Sequence, residues 1–343
     1  MLICSTSIMI VVADFAIGQN EARSVPQRNE LPSPPQSIQS SDSRIQPRPH
    51  SHGSTTQALL QAVSHPKDIE IIFEHVPVQS LLCFQSNYKS SCSGALQLGI
   101  PREHASLTDL LSMQTHPILL ARHMLELAIA LRHFDRNTHI PGLSEHHHVV
   151  MERMADAAIR HVTTNDTLLG SLEGLETIIL EAFYHVDSGN IRRAWMTMRR
   201  GIMVGQLLGL HRPGHYRYKR INDEADLDPE IIWSCIINIE SCLSMLLGLP
   251  TSTGAAETQL QGFDLKTCSN ISPLLMRTTA RILQRNEIPS CLEALELTKE
   301  IDHEILQMSQ QLPSTFWHPP ALAGLAIDSE AAFFETRRAW DLM

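Results

Sequence analysis

Closely spaced cysteines are missing from this chain. Its seven cysteines, Cys4, Cys83, Cys92, Cys235, Cys242, Cys268 and Cys291, are odd in number and scattered, with no C-x-x-C pair. This argues against both a disulfide framework and a thiolate zinc site. Cys235 and Cys242, seven apart on one expected helix face, read as buried free thiols acting as small hydrophobes. Positive charge is also short: 27 basic residues stand against 37 acidic ones, a net charge of −10. Broad electrostatic capture of nucleic acid is therefore not expected. Aromatic residues make up 5% of the chain, and alternating runs of Val, Thr and Tyr are missing, whereas Leu, Ile, Met and Ala abound. The expected fold class is all-α.

Catalytic signatures are equally scarce. No G-x-S-x-G elbow, phosphate-cradling glycine loop, dinucleotide fingerprint or H-E-x-x-H pair occurs, so no enzyme chemistry is expected. His146, His147 and His148 are consecutive, and adjacent rings on a helix point in different directions. A solvated helix start is the expected use. Residues 1–18 have no basic start, and Asp14 follows the short run Ile8 to Val12. They fit neither an export signal nor a span of about 20 apolar residues. An intracellular protein with reduced thiols and no membrane partner is expected.

What is present is enough apolar residue, 43% of 343, to bury a substantial core. Residues 19–57 stand apart: 20 of these 39 are Pro, Ser or Gln and none is aromatic. Such a tract is expected to be a disordered linker. The folded part then spans 58–343, with its core at 116–311. Between 58 and 106 only Ile69 to Phe73 and Ser80 to Phe84 suggest helical turns. A helix is expected from Pro117 to about Phe134, with Leu120, Met124, Leu127, Leu131 and Phe134 on one face. Others are expected over 145–161, from Asp166 or Thr167 to Val186 (Leu172, Leu175, Ile179 and Phe183), and over 289–311. In the last, Leu292, Leu295, Ile301, Ile305 and Met308 are expected to point inward. No repeat of fixed period appears, and successive antiparallel hairpins are the expected arrangement.

Two segments are more specific. Trp195 to Arg212 reads WMTMRRGIMVGQLLGLHR, and Trp233 to Pro250 reads WSCIINIESCLSMLLGLP. On the first, which Asn190 can cap, Ala194, Met198, Gly201, Gly205 and Leu208 share a stripe. Each interior glycine costs about 1 kcal/mol of helix propensity, so two together point to close approach by another helix. Gly209 supplies a left-handed end and Leu210 its hydrophobic contact. The second starts at Asp228, Pro229 and Glu230, and places Ile232, Ile236, Ile239, Leu243 and Leu246 on one face beside Trp233. It ends at Gly248 with Pro250 beyond. Glu240 interrupts that apolar surface and needs a partner, for which Arg199 and Arg200 are nearest in topology. Arg192, Arg193, Arg199 and Arg200 form a basic edge, read as solvated or paired to carboxylates rather than as a phosphate contact. Met196, Met198 and Met203 could line an adaptable ligand pocket, with core filling as their expected use.

These blocks resemble the middle homology region of fungal transcription factors of the binuclear zinc-cluster class. Trp195, Gly201, Gly205, Leu208, Gly209, Leu210, His211 and Arg212 match the first family block in order and spacing, with glycines where alanine is commoner. Trp233, Ser244, Gly248 and Pro250 match the second, whereas Ser234, Glu240, Ser241 and Leu249 depart from its second Trp, its Asp-Arg pair and its Gly-Arg-Pro. The resemblance runs from about His116 onward and implies an α-helical, nuclear regulatory domain that tunes genes of nutrient use or secondary metabolism. Zinc in that family belongs to a six-cysteine DNA reader that these residues do not supply, so no cofactor and no direct sequence-specific DNA binding are expected. By the same resemblance the family domain continues past the last residue here. The partners it implies are a small-molecule effector and a homo- or hetero-dimer with a related regulator. The alternatives are a cytoplasmic or nuclear interaction module that dimerises with an intact regulator, and a truncated remnant.

Overall fold

The computed structural model describes residues 53–63, 65–75, 115–132, 134–212, 218–222, 225, 227–252, 272–312 and 314–318. Among these residues there are nine α-helices and no strand, which agrees with an all-α reading. In chain order they are α1 (Gly53–Ala62), α2 (Pro66–His75), α3 (Pro117–Arg132), α4 (His147–Ala158), α5 (Leu172–Asp187), α6 (Ile191–Leu208), α7 (Pro229–Leu247), α8 (Ser272–Asn286) and α9 (Cys291–Gln311). A single π turn, Ile159–Thr163, extends α4, and a 3-10 turn, Ser314–Trp317, follows α9. Helix α1 begins five residues inside the tract expected to be disordered, since Gly53–Gln57 is helical with Thr56 buried. The run at 80–84 lies outside the described residues.

Helices α3 and α5 form the centre. Helix α3 packs on α4, α5 and α1, and α5 packs on α3, α6 and α7. Thirteen of sixteen residues are buried in each, so α3 does not present the single apolar face its periodicity predicts. Helices enclosed on several sides have to be covered nearly all round. From α6 the chain builds outward, α7 on α6, α8 on α7 and α9 on α8.

Helix ends follow local chemistry. Ser171 Oγ accepts from the Gly174 amide at 3.2 Å and starts α5, later than Asp166 or Thr167, because residues 164–170 turn around Asn165, whose Oδ1 accepts from the Thr167 amide and hydroxyl. Asp228 Oδ1 accepts from the Glu230 and Ile231 amides at 2.9 and 3.3 Å, as an N-cap does. Asn190 sits at the start of α6 without a side-chain capping bond, contrary to the expected cap. Its backbone closes the turn from α5 instead, the amide donating to His185 O at 2.8 Å.

The centre carries charge that the apolar pattern did not reveal. Arg122 Nη1 lies 3.2 Å from Glu176 Oε2, and His123 Nδ1 3.1 Å from Glu126 Oε2. Glu181 receives Thr197 Oγ1 at 2.9 Å and Arg200 Nη2 at 3.1 Å. Burial opposes ionisation of Glu181, but hydrogen bonds from His185 and Thr163, the Arg200 charge and the Thr197 hydroxyl outweigh it and hold this carboxyl below its usual range. Glu173, fully buried, accepts from the amides of Ile221 and Asn222 at 2.9 Å each, which fastens the α6–α7 connection onto α5. Buried carboxylates persist only where donors replace water.

Asp187, at the end of α5, is the exception. Burial raises its carboxyl to about 7, only partly countered by Arg132. The folded state therefore holds a proton that the unfolded chain releases near 3.8, so this residue's contribution is full below about pH 4 and is lost as pH rises through 7. Asp187→Asn is expected to stabilise the protein at pH 8 by roughly 1–3 kcal/mol and to leave it unchanged below pH 4; urea titrations at the two pH values check this.

Helix α9 departs most from expectation. Ile301 is buried, and Arg277 and Arg281 of α8 pair with Glu304 and Glu300 across the α8–α9 contact. Leu292, Leu295 and Ile305 are exposed rather than inward. Among the described helices it is the outermost of the series and packs chiefly on α8, so one side of it finds cover there.

The junction of two tryptophan-led helices as candidate functional site

Helices α6 and α7 cross where α6 has no side chains. A Cβ on Gly201 would lie 3.2 Å from Ile178 Cγ2 of α5 and 3.5 Å from Ile236 Cγ2 of α7. On Gly205 it would lie 2.7 Å from Cζ3 and 2.9 Å from Cε3 of Trp233. The Trp233 ring thus occupies the space a larger residue at 205 would need. Ala194 and Met198 on the same stripe are buried, and Leu208 is half-buried.

Both helices end the same way. Gly209 has φ 85° and Gly248 φ 65°, a left-handed region that glycine enters without Cβ penalty. The amide of Leu210 donates to Gly205 O and that of Leu249 to Ser244 O, each at 2.9 Å, while Gly209 and Gly248 donate to Gln206 O and Met245 O. These are Schellman caps, and Leu210 folds back against Gly205 to give the accompanying hydrophobic contact.

A polar chain ties the pair together. Trp195 Nε1 donates to Ser244 Oγ at 2.8 Å, and Ser244 Oγ donates to Glu240 Oε1 at 3.2 Å. Arg199 Nε reaches Glu240 Oε1 at 3.2 Å, Arg199 Nη2 donates to Pro250 O at 3.0 Å, and the guanidinium carbon lies 4.6 Å from the Trp195 ring centroid. Thr251 Oγ1 at 2.8 Å and the Ser252 amide at 3.2 Å complete the shell around Glu240, which is fully buried. Glu240 takes its charged partner from α6, and the next position on α7 is Ser241.

The structure therefore gathers Trp195, Glu240, Ser244 and Pro250 into one network, uses Gly201 and Gly205 for approach, and uses Gly209, Leu210 and Gly248 as caps. His211 is partly exposed and accepts from its neighbour Arg212 at 3.3 Å; among the described residues neither joins the network. Of the basic edge, Arg199 and Arg200 are spent on Glu240 and Glu181, and Arg192 and Arg193 remain exposed. Met198 fills the core, while Met196 and Met203 face outward, so the three methionines do not line a common pocket. Among the described residues no group of three His, Cys, Asp or Glu is placed to hold a metal. His147 is buried, not solvated: burial, then the charges of His148 and His146, lowers its pKa. Helix α7 alone among the described helices is long and apolar enough to cross a bilayer, yet it carries the ion-paired Glu240 and buries Ile232, Ile236 and Leu243 within the bundle.

Comparison with characterised sequences decides the kinship. Over 295 residues, 85% of this chain, it is 48% identical to the "Probable transcription factor gsfR1" of Penicillium aethiopicum. The chain is a homologue of fungal transcription factors. It is also 39% identical over 233 residues to a dehydrocurvularin biosynthesis regulator of Aspergillus terreus, and 32% identical over 328 residues to the transcription factor eupR of a Phoma species. These matches cover 65% and 90% of this chain. They span 43%, 32% and 66% of the three relatives in turn, so each relative extends well beyond the shared part. No protein-family model matches the chain, and no solved structure matches it. Kinship thus rests on similarity over 65–90% of this chain to named regulators, none of which is named as an enzyme.

Proposed function

We propose that these residues form the helical regulatory domain of a nuclear, pathway-specific fungal transcription regulator, in the manner of the middle homology region of zinc-cluster factors. The observation that carries this reading is the junction itself. Trp195, Arg199, Glu240 and Ser244, drawn from two blocks separated in sequence, close one buried network at a glycine crossing. Such a joint fixes the mutual angle of α6 and α7 and so couples the α3–α5 centre to the outer helices, which suits a domain that restrains or transmits rather than one that performs chemistry. Two relatives are named as dehydrocurvularin biosynthesis regulators, which supports a biosynthetic pathway as the target of control.

In this reading the DNA-reading function lies outside the described helices, and any zinc belongs to that separate function. The net charge of −10 and the use of Arg199 and Arg200 inside the fold support it. The test is a reporter assay in a fungal host, with the chain fused to a heterologous DNA-binding domain, beside the unfused chain on a DNA column. Altered reporter output together with no salt-sensitive retention of the unfused chain is the expected result. A silent fusion that is expressed and folded, or salt-sensitive retention, would overturn the proposal.

A further inference from the structure

The outermost helix is apolar on two opposite sides. One side faces α8 through Ile301, flanked by the Arg277 and Arg281 ion pairs. The other, half a turn away, carries Leu292, Leu295 and Leu306, which are 77%, 49% and 52% exposed. With Lys299, Asp302 and Ser309 they follow the spacing 292, 295, 299, 302, 306, 309, alternately three and four residues, which is the seam of a helix that pairs with another helix. A solvated helix has no use for leucine at three of these six places.

The order along the seam identifies the occupant. Reversed about a midpoint between Glu300 and Ile301, the seam matches itself: Leu295 falls opposite Leu306, Lys299 opposite Asp302, and Leu292 opposite Ser309. A two-fold axis repeats every such pair, giving two Leu295–Leu306 layers that flank two Lys299–Asp302 pairs of opposite sign. A parallel arrangement would instead set lysine on lysine and aspartate on aspartate. We propose that α9 is a homodimerisation helix, packing antiparallel against α9 of a second copy of this chain. Lys299 now lies 2.8 Å from Glu296 of its own helix, with both side chains more than 60% exposed, so it is free to turn towards the partner. The proposal does not depend on what the chain regulates.

Sedimentation of the full chain over a range of concentrations tests it. A reversible monomer–dimer equilibrium is expected, weakened at least about tenfold by Leu295→Glu or Leu306→Glu. Lys299→Asp alone and Asp302→Lys alone should each weaken it, because each sets like charges opposite one another, and the double variant should return to within about threefold of the wild type. Helical circular dichroism and the unfolding midpoint should stay unchanged throughout. A chain that stays monomeric to about 100 μM, or a dimer indifferent to these substitutions, would overturn the proposal. So would a swap that fails to restore pairing, or Leu295→Glu lowering the unfolding midpoint of the monomer, since that would place the face under cover within its own chain.

Discussion

Replacing Glu240 by alanine is expected to lower folding stability by about 3–4 kcal/mol, measurable by urea titration at pH 7. Four donors converge on this carboxylate: Arg199 Nε, Ser244 Oγ, Thr251 Oγ1 and the Ser252 amide. Arg199 is 29% exposed and can turn to water when its partner goes, so the ion pair itself accounts for a minor share. Ser244 and the chain at Thr251 and Ser252 lose an acceptor, and Trp195 loses the orientation of its own acceptor. A buried donor without a partner costs about 1–3 kcal/mol. Glu240→Gln keeps the volume but turns an amide group towards donors, and should cost about 1–2 kcal/mol. Arg199→Ala should cost less than Glu240→Ala, because the carboxylate keeps the donors Ser244 Oγ, Thr251 Oγ1 and the Ser252 amide.

The two glycines of α6 should respond differently to the same substitution. Alanine gains about 1 kcal/mol of helix propensity at either place. At Gly201 the nearest atom to the new methyl is the Ile178 Cγ2 group at 3.2 Å, which has to give by a few tenths of an ångström, so Gly201→Ala should fall within about 1 kcal/mol of the wild type. At Gly205 two atoms of the Trp233 ring stand inside 3.0 Å. A fused ring cannot bend away, and α6 and α7 have to separate. Gly205→Ala should be net destabilising by about 1–2 kcal/mol and Gly205→Val by about 3. Combining Gly205→Ala with Trp233→Leu should cost less than the sum of the two single changes, because a smaller residue at 233 leaves room for the methyl.

Local signals carried much of this into the sequence. Asp228 before Pro229, and Gly209 and Gly248 at helix ends, act through bonds to amides and carbonyls within a few residues, so the caps were legible without the fold. The glycine stripe and a carboxylate on an apolar face pointed to a close crossing and to Arg199 or Arg200, of which Arg199 pairs with Glu240. Burial of α3 on nearly every side was not legible, because periodicity records one preferred face and says nothing of a third neighbour. The pairs Arg122–Glu176 and Arg200–Glu181 bring together residues 54 and 19 apart, and no spacing rule links them; the nearest signal was the presence of three glutamates within the apolar run of α5. On α9 the same leucines that suggest an inward face point outward, since a sequence with apolar residues on two sides does not tell which side the neighbouring helix takes.

The central claim is that the two tryptophan-led helices are locked through Glu240 and its α6 partner. A double-mutant cycle on Arg199→Ala and Glu240→Ala, read by equilibrium unfolding at pH 7, measures that link with the contributions of Ser244 and Thr251 cancelled. A coupling of about 0.5–1 kcal/mol is the predicted result. Strict additivity, with a coupling below about 0.3 kcal/mol, would contradict it.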